Sequence, residues 1–428
     1  MIRPLRDALS GDRSRSPSQR YGSYTNSSAF YQRPYVDASP PFIEDAVEAN
    51  GRLTGVNRRD PPVPRMMKDG TRDLVSQRAA TAMRDDLGMP GSTEVAGVMR
   101  KGRHRTVWTA AGLAASGLAW SVHAAYRRDI GAARARVATG SLVAETRCGS
   151  VEYASVGDGP PILLVHGAGG GFDQALDLGA PLAQMGFRVI AMSRFGYLRT
   201  PMPVDASAAA QADAHAALLD SLGIARASVV GASAGAPSSM QFALRYPERC
   251  SALVLVVPAA YVPRPDGAQS LRTPPRTLLL FDTVLRTDFL FWAAARLSRD
   301  ILIRSILGTP PAVVQRAEAA EQARVATVLE HVLPVSARRL GLLNDGVIVT
   351  TLGRYDLERI AAPTLAIGAA DCLYGTFDVA RYSAEHIRGA RFIGYPTGGH
   401  LWVGHHDELL SQVADFLKHP SVTEQAPP

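Results

Sequence analysis

One short segment places a serine where it could act as a nucleophile. Ser233 is the central residue of Gly231-Ala232-Ser233-Ala234-Gly235, which follows the apolar residues 228–230 and precedes a helical segment over 236–245. A serine on a sharp turn between a strand and a helix projects its hydroxyl above a sheet, and small neighbours allow the turn to close. The placement, more than the pentapeptide itself, therefore predicts that Ser233 is a nucleophile.

A glycine-rich segment could supply the hydrogen-bond donors that such a nucleophile needs. His166-Gly167-Ala168-Gly169-Gly170-Gly171 follows an apolar segment over 161–165. Glycines let backbone N–H groups approach a substrate, as an oxyanion hole requires. We predict the backbone amides of Ala168 and Ala234 as donors, supported by His166, Gly167, Gly169, Gly231 and Gly235. A phosphate-binding loop is the competing interpretation, which the lack of a Walker lysine disfavours.

The surrounding segments predict the scaffold that positions these residues. Short apolar segments of strand length alternate with helical segments from residue 142 onward. The strand segments are 142–146, 151–156, 161–165, 188–192, 228–230, 252–257, 364–367 and 391–395. The helical segments are 172–185, 206–222, 236–245, 379–387 and 407–418. This alternation predicts an α/β protein with a doubly wound, mostly parallel, eight-stranded sheet.

One interval interrupts the alternation. Between Pro258 and Pro363 the sequence shows helical periodicity, for example over 277–285, 289–297 and 313–329, and no parallel strand. Such an insertion between two strands predicts a helical cap at about 261–360. The predicted catalytic domain is then 139–420, followed by a tail over 421–428.

Together these features resemble the α/β-hydrolase superfamily over about residues 140–420. In that family the chain order is nucleophile, acid, histidine. The resemblance implies that Asp371, in Gly368-Ala369-Ala370-Asp371, is the acid, and that His400, in Gly398-Gly399-His400, is the base. A turn over 193–197 is also similar to the family, although Ser193 stands where many relatives carry aspartate.

Each predicted member has rivals of the same residue type. Asp378 and Asp266 are alternative acids, but neither ends a strand segment. His405 and His406 are alternative bases, but both fall at the start of the last helical segment. His166 is interpreted as structural support for the glycine-rich loop.

This constellation predicts acyl transfer to water. The acid would orient the histidine, which would deprotonate the serine near neutral pH. Esters, amides and C–C bonds beside a ketone remain as substrates, and cofactor-free perhydrolysis is a further alternative. The apolar residues 289–292 suggest a hydrophobic small-molecule substrate. No metal or organic cofactor is implied. The hypothesis from another class is a membrane-tethered binding protein without activity.

The N-terminal third predicts a different organisation. Residues 1–98 have the composition of a disordered basic tail, and 99–138 comprise a basic flank, an apolar helix and a linker. From Val107 to Ala125 about 19 residues carry no formal charge, close to the length needed to span a bilayer. The pattern favours a single-pass membrane anchor. A cleaved signal peptide of a secreted protein, or a helix on a cytoplasmic protein, is the alternative.

Composition excludes several other classes. The chain has 428 residues, of which 46% are hydrophobic, and a net charge of +7 concentrated towards its N-terminus. No nucleic-acid-binding motif accompanies that charge, so we predict no nucleic-acid partner. Cys148, Cys250 and Cys372 are too few and too irregularly spaced for a disulfide framework or a zinc site. Cys372, beside Asp371, is interpreted as a bystander.

Overall fold

A computed structural model describes residues 92–263 and 285–420. Residues 1–91 of the tail predicted over 1–98, the predicted tail over 421–428, the rival Asp266 and most of the helical segment 277–285 lie outside these residues. The strands are β1 (Leu142–Thr146), β2 (Gly149–Val156), β3 (Pro161–Val165), β4 (Arg188–Met192), β5 (Ala227–Ala232), β6 (Cys250–Val256), β7 (Thr364–Ala369) and β8 (Arg391–Tyr395). The helices are α1 (Ser92–Ala138), α2 (Phe172–Gln184), α3 (Ala208–Ser221), α4 (Ala236–Arg245), α5 (Asp288–Leu297), α6 (Arg299–Ser305), α7 (Pro311–Arg316), α8 (Ala319–Glu330), α9 (Arg339–Thr351), α10 (Thr376–His386) and α11 (His406–Lys418).

The eight strands form one sheet in the order β1-β2-β4-β3-β5-β6-β7-β8. β2 pairs antiparallel with β1 and β4, and the remaining neighbours are parallel. The predicted fold class is therefore confirmed. The chain crosses back over β3 when it passes from β4 to β5, so the carboxyl ends of β3 and β5 flank a topological switch point. Ligands bind at such crevices in doubly wound sheets.

Both faces of the sheet are buried, which explains why its strands are continuously apolar. Leu163 and Val165 of β3 belong to one core cluster with α3, α4 and α10. The alternate residues Ile162 and Leu164 belong to a second cluster with α2 and α11. Successive side chains of a strand point to opposite faces, so two helical layers select apolar residues at every position.

The helices α5 to α9 and the loops between them, here called the cap, lie between β6 and β7 and contribute most of a third apolar cluster. That cluster includes Trp292 and Val332 from the cap and reaches Leu401 beside the end of β8. The helix predicted over 313–329 is two helices, α7 and α8, because Ala317 and Glu318 are extended. The Gln322 side chain donates to the carbonyl of Ala317 at 2.9 Å and so satisfies the end of α7.

The membrane anchor expected from Val107 to Ala125 is not supported. These residues are part of the 47-residue helix α1. Within residues 92–263 and 285–420, no helix combines the length and the hydropathy that a bilayer span requires. Alanine, glycine and serine dominate the segment, and their small side chains add little hydropathy. The last turns of α1 instead contact the cap, where Asp129 accepts a hydrogen bond from Trp292 Nε1 at 2.9 Å.

Candidate active site

Ser233 directly follows β5 and begins the turn into α4. Its backbone φ is 48°, in the left-handed region that a residue with a side chain adopts only at a cost. The lack of room for a side chain explains why Gly231 and Gly235 are glycines. A Cβ on Gly231 would lie 2.4 Å from Ser239 Oγ, and one on Gly235 would lie 2.4 Å from the carbonyl oxygen of Val165. Glycine at both positions therefore allows the strained turn to press against the end of β3.

His400 lies against this serine. Its Nε2 is 2.9 Å from Ser233 Oγ, a distance at which the hydroxyl donates to the imidazole. His400 belongs to residues 398–401, the histidine loop, between β8 and α11. A cap segment holds this loop: the carbonyl of Gly308 accepts from His400 N at 3.3 Å, and Thr309 Oγ1 accepts from Leu401 N at 3.3 Å. The cap thus takes part in placing the imidazole.

Asp371, just past the end of β7, contacts the backbone of the same loop. Its Oδ1 accepts a hydrogen bond from Gly399 N at 2.7 Å, and its Oδ2 accepts one from Gly398 N at 3.2 Å. The group against the other ring nitrogen of His400 is a different one, since Cys372 Sγ lies 3.3 Å from Nδ1. The structure therefore brings Ser233 and His400 into direct contact and sets Asp371 against the two amides that precede the imidazole.

Cys372 was interpreted from sequence as a bystander, yet its thiol has a specific environment. It is buried, and Thr376 Oγ1 donates to its sulfur at 3.1 Å. Burial by itself opposes ionisation of the thiol, but His400 and the hydrogen bonds from His400 and Thr376 outweigh burial and lower the pKa of Cys372 to about 7. The only sequence signal for this contact is the position of Cys372 directly after the predicted acid.

Residues 166–171, the glycine-rich loop, pack on the nucleophile from the β3 side. A Cβ on Gly167 would come within 3.1 Å of Ser233 Cβ. The carbonyl oxygen of Gly167 accepts hydrogen bonds from His166 Nδ1 at 2.7 Å and from Arg194 Nη2 at 3.1 Å. In a planar trans peptide the carbonyl and the following N–H point in opposite directions. The amide of Ala168 is therefore turned away from Arg194.

The second predicted donor belongs to Ala234, in the turn that follows the nucleophile. The carbonyl oxygen of Ser233 accepts a hydrogen bond from Ala259 N at 3.0 Å. The same peptide geometry turns the N–H of Ala234 to the side opposite Ala259. Ala234 also lies in the turn directly before α4, where the helix dipole favours negative charge.

His166 is neutral and supports the glycine-rich loop through hydrogen bonds. Its Nε2 accepts a hydrogen bond from Arg194 N at 3.0 Å, while Nδ1 donates to Gly167. Burial, followed by the nearby charge of Arg194, holds the pKa of His166 well below its usual range. Both ring nitrogens are engaged with backbone groups, which agrees with the structural role inferred from sequence.

A buried ion pair behind this loop was not foreseen. The Arg194 guanidinium forms two hydrogen bonds of 2.6 Å with the Asp345 carboxylate, and each side chain is about 5% exposed. Tyr197 donates to the same carboxylate at 2.5 Å and accepts from Gly169 N at 3.2 Å. Arg194 and Tyr197 belong to the turn over 193–197, but Asp345 comes from cap helix α9.

A second buried arginine binds the far end of the loop. Arg338, with no exposed surface, donates to the carbonyl of Gly170 at 2.5 Å and to Asp173 Oδ2 at 2.7 Å. Arg136 of α1 also approaches Asp173, at 3.3 Å. Burial alone would raise the pKa of the Asp173 carboxyl, but the charges of Arg338 and Arg136 outweigh it and lower that pKa.

The described rivals are engaged elsewhere. Asp378 pairs with Arg381 at the surface, His405 pairs with Glu408, and His406 accepts from the indole of Trp402. In the part of the chain that the structure describes, no group of three His, Cys, Asp or Glu side chains could hold a metal ion.

Comparisons with known proteins support the fold and the enzyme class. The alpha/beta hydrolase fold family matches residues 160–301. A Bacillus subtilis protein named as an uncharacterized hydrolase is 28% identical over 271 residues, which cover 60% of this chain and 90% of that protein. The 2-hydroxy-6-oxononadienedioate/2-hydroxy-6-oxononatrienedioate hydrolase of Paraburkholderia xenovorans is 26% identical and covers 63% of this chain and 91% of its own length. Among solved structures, an alpha/beta hydrolase fold protein from Nakamurella multipartita is 28% identical, with a TM-score of 0.51 over 65% of this chain and 99% of that one.

The doubly wound sheet, the serine turn at its switch point and these relatives define the class. The chain is an enzyme with the α/β-hydrolase fold.

Proposed function

We propose that this enzyme is a serine hydrolase that transfers an acyl group from an ester or related carbonyl compound to water. Ser233 is the nucleophile, His400 is the base and Asp371 is the acid that orients the base. The observation that carries the proposal is the 2.9 Å contact between Ser233 Oγ and His400 Nε2 at a strained strand-to-helix turn.

The proposed reaction has two halves. His400 Nε2 accepts the hydroxyl proton while Ser233 Oγ attacks the carbonyl carbon, and the amides of Ala168 and Ala234 bind the resulting oxyanion. The protonated His400 then gives that proton to the leaving alcohol, which departs and leaves an acyl-enzyme. A water attacks the acyl-enzyme, with His400 again as the base, and the carboxylic acid is released. These steps require no cofactor.

Asp371 acts in this scheme through the histidine loop. Its carboxylate binds the amides of Gly398 and Gly399, so it fixes the backbone that carries the imidazole.

The proposed substrate has a hydrophobic acyl group. Cap side chains Val332 and Leu342 approach the glycine-rich loop, since each would lie 3.8 Å from a Cβ on Gly169. Hydrolysis of a C–C bond beside a ketone is a second candidate on the same residues. It is favoured by the name of the Paraburkholderia relative, whose length the chain covers almost entirely.

We also propose that residues 139–420 form the catalytic domain, with the cap at about 261–360. The support is that the cap's apolar cluster includes Leu401 and Val403, which follow His400 directly. The cap therefore packs over the histidine loop.

The test is reaction of the full-length chain with a fluorophosphonate probe, alongside Ser233→Ala. We expect stoichiometric labelling of the wild type and none of the variant, with both proteins showing the same thermal unfolding. A folded wild type that resists the probe would contradict the proposal. Turnover of p-nitrophenyl esters of increasing chain length, compared with a dienoate diketone, then separates ester from C–C hydrolysis.

A further inference from the structure

The buried pair of Arg194 and Asp345 links cap helix α9 to the glycine-rich loop. We propose that Asp345 is a positioning residue for the oxyanion hole. It holds Arg194 and Tyr197, and these two side chains fix the backbone on either side of Ala168. The inference rests on the proposed function, because it assigns to Asp345 an effect on a proposed oxyanion donor.

Arg194 holds the first side of Ala168. Its Nε donates to the carbonyl of His166 at 2.9 Å, and its Nη2 donates to the carbonyl of Gly167 at 3.1 Å. The remaining donors of the guanidinium face Asp345, whose two oxygens each accept at 2.6 Å. A planar guanidinium held in a bidentate pair has a fixed orientation, so the Gly167 carbonyl has a fixed partner.

Tyr197 holds the second side. Its hydroxyl donates to Asp345 Oδ2 and accepts from Gly169 N. The carboxylate determines the direction of the hydroxyl proton, because the oxygen can accept from Gly169 only while its own proton points elsewhere. Asp345 thus sets the partners of the Gly167 carbonyl and of the Gly169 amide, which flank Ala168 in the chain.

The three side chains come from different parts of the molecule. Arg194 and Tyr197 follow β4 in the sheet domain, whereas Asp345 lies on α9 of the cap. Removal of the carboxylate would leave a buried guanidinium without a counter-charge, which is strongly unfavourable. The guanidinium would then turn towards other acceptors, the Gly167 carbonyl would keep His166 Nδ1 but lose Arg194, and the Ala168 amide would be held less firmly.

The experiment compares Asp345→Asn and Tyr197→Phe with Asp288→Asn in the full-length chain. Asp288 is the matched control: it is also a buried cap carboxylate, and it is bound by Arg134 and by Ser336. Turnover of p-nitrophenyl butyrate gives kcat and KM. Loss of one oxyanion donor typically lowers kcat about 10²- to 10³-fold. We expect a fall of about 10² for Asp345→Asn and about tenfold for Tyr197→Phe, with KM changed less than about threefold.

Amide hydrogen exchange over residues 166–171 measures how firmly the backbone of the loop is held, independently of catalysis. We expect faster exchange in Asp345→Asn and Tyr197→Phe than in Asp288→Asn. Equal exchange and equal kcat in Asp345→Asn and Asp288→Asn would overturn the inference, as would a higher KM at unchanged kcat. Because Tyr197→Phe keeps the ion pair, it decides the matter if Asp345→Asn does not fold. A wild type that resists fluorophosphonate refutes the proposed function, whereas the exchange result still decides whether Asp345 positions the loop.

Discussion

The two loops that meet at Ser233 are held by charged side chains: buried arginines behind the glycine-rich loop, and the partly exposed Asp371 behind the two glycines of the histidine loop. In the glycine-rich loop, the guanidinium groups of Arg194 and Arg338 bind backbone carbonyls. In the histidine loop, the carboxylate of Asp371 binds backbone amides. Both kinds of charged side chain are fixed by the surrounding fold. The arginines contact peptide C=O groups, whereas Asp371 contacts peptide N–H groups.

This difference determines what each loop can offer a substrate. A loop whose carbonyls are bound from behind presents its N–H groups on the other side, as a site for a negatively charged oxygen requires. The two amides of the histidine loop that Asp371 binds are not free for a substrate, and this loop supplies the imidazole of His400 instead. The two loops therefore differ in which backbone groups the charged side chains bind: carbonyls of the glycine-rich loop, and the amides of Gly398 and Gly399. Each prediction below alters one side of this contrast.

The largest effect is expected from Asp371→Asn, which changes the charge behind the histidine loop. The asparagine nitrogen cannot accept a hydrogen bond, so one of the two amides of Gly398 and Gly399 loses its partner, and the backbone that carries the imidazole is held less firmly. We expect kcat to fall about 10³- to 10⁴-fold with little change in KM.

Asp378→Asn provides the control for this prediction. Asp378 lies seven residues further along the chain and pairs with Arg381 at the surface. Its substitution should change kcat less than about twofold, since surface pairs contribute little. A loss below tenfold for Asp371→Asn would show that the charge behind the histidine loop is dispensable.

A smaller effect is expected from two separate substitutions, Gly235→Ala beside the glycine-rich loop and Gly399→Ala in the histidine loop, each of which adds one methyl group. In Gly235→Ala the Cβ would meet the carbonyl oxygens of Val165 and His166 at 2.4 and 2.7 Å, both of which are backbone atoms. In Gly399→Ala it would meet Thr309, at a φ of 62°. We expect each change to lower the free energy of unfolding by about 1–3 kcal/mol, as overpacking does. Chemical denaturation measures this loss.

Hydrogen exchange distinguishes the two variants by location. Gly235→Ala should loosen the amides of residues 166–171, and Gly399→Ala those of 398–401. Gly346→Ala on α9 is the control, because its Cβ would meet nothing within 4 Å and alanine favours helix. Equal loosening of both loops by either variant would mean that the loops are not held independently.

The scaffold and Asp371 could be predicted from the sequence, whereas the buried charges behind the glycine-rich loop could not. The apolar segments over 161–165 and 188–192 are strands in the structure because helical layers cover both faces of the sheet. The turn at Ser233 follows from the small residues around it. These signals are local, since each depends on residues adjacent in the chain.

The contacts that hold the loops join distant residues. Asp345 is separated from Arg194 by 151 positions, and no periodicity relates them. A polar residue in an amphipathic helix is usually solvated, so the sequence gives no reason to bury Asp345. The break between α7 and α8 and the packing of α1 on the cap were missed for the same reason. The hydropathy of each helix follows from the sequence, but the surface against which the helix packs does not.

The smallest effect is expected from Cys372→Ala, which removes the thiol beside Nδ1 of His400. A thiol is a weak hydrogen-bond partner, so kcat should fall less than about tenfold. The pH dependence of stability is more informative. Because the pKa of Cys372 is lowered in the folded protein from an ordinary value near 9 to about 7, ionisation stabilises the fold fully above pH 9. That contribution is lost as the pH falls through 7.

The free energy of unfolding of the wild type, minus that of Cys372→Ala, should therefore increase between pH 7 and pH 9, by on the order of 1 kcal/mol. Cys250→Ala is the matched control, because burial raises the pKa of Cys250 to about 12 and its thiol stays protonated over this range. Its difference from the wild type should not increase from pH 7 to pH 9. If the Cys372 difference is equally flat, the thiol is a neutral neighbour of the imidazole. Asp371 then remains the charged group that binds the amides of the histidine loop.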